Sequence, residues 1–140
     1  MQIHQSAEDY LETILMLTQR MGRVRSIDVV NELGYTKASV SIAMKKLREN
    51  GYIAVDGEGN LTLLEPGREI AERIYSRHRL LTHFFVQLGV DEEVAAEDAC
   101  KAEHILSEQT LEKIREYALL HDAEAVSYTH LRAHETDQYL

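Results

Sequence analysis

The chain changes period abruptly at Gly51, and few folds accommodate that change. Before it, KASVSIAMKKLRENG places Val40, Met44 and Leu47 at spacings of four and three, the buried stripe of an amphipathic helix closed by Asn50-Gly51. After it, YIAVDGEGNLTLLEPG reads as a strand, a Gly-rich turn from Asp56 to Asn60, and a second strand of alternating character. Two further helices precede that amphipathic one. Leu11, Ile14, Leu15 and Leu17 form the apolar face of the first, with Ser6 as its expected N-cap and Gly22 as its stop. Ser26 is expected to cap the second, where Ile27, Val30 and Leu33 make the apolar face and Gly34 ends it. A short turn, GYT, joins that helix to the next. Three helices followed by a hairpin, with basic residues on the third helix, is the order of a winged helix-turn-helix, and the helix from Thr36 to Asn50 is its reader.

Past Pro66 the hairpin gives way to a long periodic segment, GREIAERIYSRHRLLTHFFVQLG, with Ile70, Ile74, Leu81, Phe84, Phe85 and Leu88 as apolar positions. DEEVAAEDACKAEHILS and SEQTLEKIREYALLH supply two more helices, so the second unit is helical and roughly sixty residues long. A unit that small usually needs a partner surface, which makes a homodimer the expectation. The fold class is therefore mainly α with a small β-hairpin: an N-terminal winged helix-turn-helix over residues 1–66 and a C-terminal helical domain over 67–126. The stretch SYTHLRAHETDQYL breaks the apolar pattern. Residues 127–140 read as a non-native or disordered tail resembling translated sequencing-adapter read-through, or as an exposed polar tail, and His130 and His134 carry no functional assignment.

The formal net charge of −9 argues at first against nucleic acid, which is bound by neutralising phosphates. Distribution reverses the argument. Up to Pro66 seven Lys/Arg stand against nine Asp/Glu, whereas the remainder has eight against fifteen, so the second half carries the acid. Lys37, Lys45, Lys46 and Arg48 fall in one short stretch of the reader helix, with Arg20, Arg23 and Arg25 just upstream. Hydrophobic residues at 44% and charged residues at 28% describe a globular chain with a packed core. No run approaches the roughly 18 apolar residues that span a bilayer, and MQIHQSAEDY lacks a signal-peptide pattern, so a cytoplasmic protein with no membrane partner is expected. The lone Cys100 excludes an internal disulfide and fits a reducing compartment.

One constellation of residues carries chemistry. Asp9 and Glu12 are three apart on the first helix, while Cys100, Glu103 and His104 occupy i, i+3 and i+4 on a later one, so each set projects from a single face. His78 lies on the long helix in SRHRLL, one turn before Thr82. Carboxylates, imidazoles and a thiolate drawn from three helices make a coordination shell for a first-row divalent ion. Taken alone, two acids three apart are usually a solvated helix face, and a free cysteine is either a ligand or a small packing residue. The set has to be judged together.

EDYLETI, the RHRLL run, the GVDEE turn and EDACKAEH followed by Ser107 resemble the diphtheria toxin repressor family, specifically its short manganese-regulator branch, over most of residues 5–120. The resemblance implies a dimeric winged-helix repressor that binds a double-stranded DNA operator, with Asp9, Glu12, His78, Cys100, Glu103 and His104 as metal ligands. It implies a metal site between the two domains, which would fix the separation of two recognition helices. The two-domain type, without the SH3-like domain of the longer branch, is expected. Iron-responsive members have methionine where Asp9 stands, and exchanging thioether for carboxylate favours a harder ion, so Mn2+ is the expected cofactor. Cys100 stands where some manganese regulators have glutamate and iron regulators have cysteine, which keeps Fe2+ as the alternative, with Zn2+ or Co2+ substituting in vitro. The accessory site of the iron branch needs a histidine at Ala96 and an acid at Thr82, and this chain has neither.

For DNA, Thr36, Lys37, Ser39 and Ile42 lie near the end of the reader that enters the major groove, Lys45, Lys46 and Arg48 are placed for phosphates, and Arg25 joins them from upstream. Asp56 and Glu58 at the wing tip disfavour phosphate, so the wing is expected to contribute little. The expected function is a metal-dependent repressor of metal-homeostasis genes. The rivals are a winged-helix regulator sensing an organic ligand and a helical-bundle metalloenzyme, the latter disfavoured because such bundles repeat Glu-x-x-His on two helices and this chain does not.

Overall fold

The computed structural model describes residues 5–122, and their backbone forms six helices and one antiparallel hairpin. Two compact units divide between Arg73 and Ile74, inside the fourth helix. The tail from 127 onward lies outside the described residues. Among the described residues no helix is long and apolar enough to cross a membrane.

In the first unit, α1 (Gln5–Met21), α2 (Ser26–Leu33) and α3 (Lys37–Glu49) precede β1 (Ile53–Val55) and β2 (Leu61–Leu63), and α4 (Glu65–Gln87) begins. The expected stripe of α3 is buried at all three positions, Val40, Met44 and Leu47; Leu11, Ile14 and Leu17 of α1 and Val29 of α2 are buried too, and α3 packs against both helices. Each such aliphatic side chain contributes on the order of 1.5–3 kcal/mol on leaving water. Gly34 ends α2 in the left-handed region, φ 72°, with its N–H donating to the Val30 carbonyl at 2.8 Å. Only glycine enters that region without strain. In the hairpin Ile53 pairs with Leu63 and Val55 with Leu61. Ile53, Leu61 and Leu63 point into the core, and Thr62 points out, as a period of two requires.

Three local expectations are corrected here. Ser6 does not cap α1, because Gln5 is already helical. The N-cap of α2 is Arg25, not Ser26: Arg25 is held extended by a bridge to Asn60, its neighbour Val24 accepts from the Leu61 N–H at 2.7 Å, and the Asp28 carboxylate receives the Arg25 N–H at 2.9 Å. The strand-like tie to the wing thus sets where the helix can begin. Ile27 is 43% exposed, and the buried position of α2 is Val29. A three-residue spacing drifts by about 60° per step, so 27, 30 and 33 cannot share a narrow face, whereas 29 and 33 do.

The second unit holds the rest of α4 with α5 (Glu92–Ala102) and α6 (Glu108–Leu120). Leu80, Leu81, Ala99, Leu111 and Ala118 form its core, flanked by Phe84, Phe85, Ala102, Leu106 and Ile114. Leu88, expected as apolar core, is 60% exposed because α4 stops at Gln87 and Gly89 turns the chain at φ 102°. Ser107 caps α6, its hydroxyl accepting the Thr110 N–H at 3.2 Å. α5 ends earlier than its apolar spacing suggests. Ile105 and Leu106 both donate to the Ala102 carbonyl, closing the helix into a tight turn, so Glu103 and His104 lie in that turn and not on the helix proper. Glu103 keeps helical dihedrals (φ −59°, ψ −23°) and its N–H still donates to Ala99, which is why the expected i, i+3 relation to Cys100 survives.

Candidate functional site

In the second unit, three donors of different elements come together. His78 projects from the middle of α4, Cys100 from the last turn of α5, and Glu103 from the turn that follows. His78 Nδ1 is 3.0 Å from Glu103 Oε2 and 3.7 Å from Cys100 Sγ. One atom of each residue lies within 4.8 Å of the others. Donors sharing a first-row ion at about 2.0–2.3 Å stand roughly 3.0–3.6 Å apart, so this nitrogen, sulfur and oxygen set fits such an ion with little movement. His104 adds a second imidazole, with Nε2 3.4 Å from Glu103 Oε1, and both side chains are buried. A fully buried carboxylate is costly unless cationic or hydrogen-bonding groups surround it. Glu103 has an imidazole facing each of its two oxygens.

Cys100 is exposed. Its thiol is therefore not part of the buried core. Arg77, which the sequence reading passed over, holds this corner in place: Nη1 donates to the Glu103 carbonyl at 3.1 Å, while Nη2 pairs with the Glu108 carboxylate at the start of α6. The turn bearing Glu103 and His104 is therefore pinned from both ends by one guanidinium. Its signal was available in RHRLL, where Arg77 immediately precedes His78, but the identity of its partners was not. Thr82, which stands where the iron branch needs an accessory-site acid, donates its hydroxyl to the His78 carbonyl at 2.8 Å.

In the first unit, Asp9 and Glu12 lie one helical turn apart on α1, and Glu12 is only 6% exposed. Tyr10, between them, is buried and packs edge-on against Tyr35 with ring centroids 5.9 Å apart. Burial, then Tyr35, then the Asp9 charge raise the Tyr10 pKa above that of an ordinary phenol. Tyr35 sits in the turn just before the reader helix, so α1 and that turn are packed together.

The exposed face of α3 carries Lys37, Ser39, Ser41, Ile42, Lys45, Lys46 and Arg48. Thr36 is its N-cap: the hydroxyl accepts the Ser39 N–H at 3.1 Å and donates to Ser39 Oγ at 2.9 Å, which commits that oxygen to holding the helix start. Arg25 lies across the wing turn, where a Cβ built on Gly59 would stand 3.3 Å from its guanidinium. Arg20 is paired with Glu32 at 2.8 Å, so the upstream cluster is not uniformly available for phosphate. At the wing tip Asp56 accepts the Glu58 and Asn60 N–H groups at 2.8 and 2.9 Å and the Asn60 side-chain amide at 3.0 Å. Those bonds, the Asn60 backbone first, hold its carboxyl below the usual aspartate pKa. Asp56 builds the turn.

Comparison with known proteins finds two consecutive family domains. Residues 2–61 match the iron dependent repressor N-terminal DNA binding domain, and residues 64–119 match the iron dependent repressor metal binding and dimerisation domain. An HTH-type transcriptional regulator of Methanocaldococcus jannaschii is 36% identical over 113 residues, covering 79% of this chain and 90% of that protein. The HTH-type transcriptional regulator MntR of Bacillus subtilis is 35% identical over 109 residues, covering 78% and 77%. A solved structure described as a manganese-dependent transcriptional repressor in complex with manganese superposes with a TM-score of 0.73 at 28% identity over 80% of this chain. This chain covers 52% of the length of that solved protein. These relatives are transcription regulators and not enzymes. With its resemblance to the diphtheria toxin repressor family borne out at both ends, the chain belongs to the iron-dependent repressor family and carries that family's DNA-binding domain and its metal-binding and dimerisation domain.

Proposed function

We propose that this protein is a manganese-responsive repressor that binds a duplex DNA operator as a homodimer in the cytoplasm. The observation that carries the metal half is the convergence of His78, Cys100 and Glu103 from α4 and the end of α5 within 4.8 Å, around a buried carboxylate. The proposed ligand set is Asp9, Glu12, His78, Cys100, Glu103 and His104. Support for Asp9 and Glu12 is their one-turn spacing on α1 together with the sequence resemblance. Three carboxylates against a single thiolate in this set, with a carboxylate at Asp9, favour Mn2+ over Fe2+, and the manganese-named relatives point the same way. The thiolate of Cys100 is the reason Fe2+, Zn2+ and Co2+ should also bind in vitro.

A bound divalent cation supplies positive charge to a cluster of carboxylates that otherwise repel one another. The residues do the rest. Glu103 and His104 stay in register because Arg77 holds their turn, and Arg25, Thr36, Lys37, Ser39, Ile42, Lys45 and Lys46 form the proposed DNA face, whose basic members neutralise phosphates. An organic-ligand sensor with the same fold would not need this donor set. Fluorescence anisotropy with duplexes from the protein's own promoter region, in manganese, ferrous iron, zinc and chelator, tests the proposal. Manganese should give the tightest binding and chelator should abolish it; binding unchanged by chelator would refute metal dependence.

A further inference from the structure

The exposed face of α3 has an unexpected centre. Opposite the buried stripe of Val40, Met44 and Leu47, the helix presents Ile42, 58% exposed, with Lys45 on one side and Lys46 on the other. On a helix wheel these three span about 100°, and the isoleucine is the residue turned furthest from the core among them. A large aliphatic side chain on the basic face of a short amphipathic helix gains nothing from its own fold. Lysines on both flanks match the two phosphate backbones that border a major groove, so the occupant this face suits is duplex DNA.

We infer that Ile42 is a specificity-determining residue that reads the C5-methyl group of a thymine in each operator half-site. The inference rests on the proposed role of α3 as the reader. Side chains that make bidentate contacts to guanine or adenine edges are arginine, lysine, asparagine and glutamine; from Lys37 to Glu49 these are Lys37 at the start of the helix, Lys45 and Lys46 on the two flanks and Arg48 near the C-terminal end toward the side, so none stands at the centre of the face. Near the N-terminal end the hydroxyl of Thr36 is committed to the cap. What remains at the centre is an apolar surface, and among the four bases only thymine offers an apolar group in the major groove. Glu49, on the same face about 10 Å further along the helix, is too distant to share that base contact.

The test begins by selecting duplexes from a randomised library with the full chain in manganese. Each thymine of the selected half-site is then replaced by uracil, which deletes the methyl group and nothing else. Wild-type protein should lose about fourfold in affinity at one position per half-site, the worth of one buried methylene-sized group, and no more than slightly elsewhere. Ile42→Ala should bind more weakly and be indifferent to uracil at that position, while Ile42→Val should retain part of the sensitivity. Because Ile42 is exposed, both variants should melt with the wild type. If wild type and Ile42→Ala lose equally at every thymine, methyl reading by Ile42 is overturned while DNA binding stands. If no duplex is enriched in manganese, the repressor reading fails and this inference with it.

Discussion

Gly67→Ala should destabilise the protein, although helix propensity alone says the opposite. Gly67 is the third residue of α4 and is buried against the start of the wing. A Cβ placed there would stand 2.2 Å from the Tyr52 carbonyl oxygen and 3.0 Å from its carbon, with Leu11 Cδ2 at 3.4 Å. A carbon–oxygen contact needs roughly 3.2 Å, so backbone must move by about 1 Å, and overpacking of this kind costs about 1–3 kcal/mol. The same Tyr52 oxygen accepts the Leu64 N–H at 3.0 Å, a bond worth about 0.5–1.5 kcal/mol that the shift would weaken. Replacing glycine by alanine in a helix returns at most about 1 kcal/mol. The net is a loss of about 1–3 kcal/mol, which lowers the melting temperature by roughly 3–10 °C for a chain of this size. Thermal and urea unfolding of the metal-free protein measure it. A variant as stable as wild type, or more so, would refute the claim that α4 is seated on the Tyr52 backbone.

Other outcomes follow from the site and the reader. Glu103→Gln should remove most metal-induced stabilisation: at a manganese concentration 100 times the wild-type Kd, wild type gains about 2.7 kcal/mol, and a variant weakened 100-fold gains about 0.4 kcal/mol, read as the difference in melting temperature with and without metal. Lys45→Ala should weaken all DNA sequences alike and reduce the slope of log affinity against log salt by about 0.9, whereas a change in sequence preference would show that it contacts a base. Asp56 has its pKa lowered in the folded wing, so its contribution is present above the unfolded aspartate pKa and is lost as pH falls through the lower folded value. The amide resonances of Glu58 and Asn60 should therefore titrate together with a midpoint below that of ordinary aspartate, and a midpoint at or above it would contradict the turn geometry.

Much of this was legible in the sequence because it depends on short-range periodicity. The Val40, Met44 and Leu47 stripe, the alternation around Thr62 and the glycine at Gly34 each follow from one helix or strand considered alone. Expectations failed where a neighbouring element intervened. Arg25 displaces Ser26 as a cap because the wing holds it extended, and Ile27 faces solvent because the rotation of α2 is set by its contacts with α1 and α3. Gly67 gave no local signal at all, since what it avoids is a carbonyl fifteen positions earlier. At the candidate site, residue types and spacing nominated His78, Cys100 and Glu103 only together with the family resemblance. Arg77 was missed because its partners, the Glu103 carbonyl and the Glu108 carboxylate, are set by how the α5–α6 turn folds back toward α4.

Manganese affinity measured with and without a selected operator duplex addresses the central claim most directly. Free Mn2+ can be followed by electron paramagnetic resonance while protein is titrated, first alone and then with saturating DNA. Linkage requires that whatever factor metal adds to DNA affinity, DNA adds to metal affinity, typically about 5- to 150-fold. The account predicts tighter manganese binding in the presence of operator by the same factor found in the reverse experiment, and loss of that difference in Glu103→Gln. Equal manganese affinity with and without DNA would contradict it.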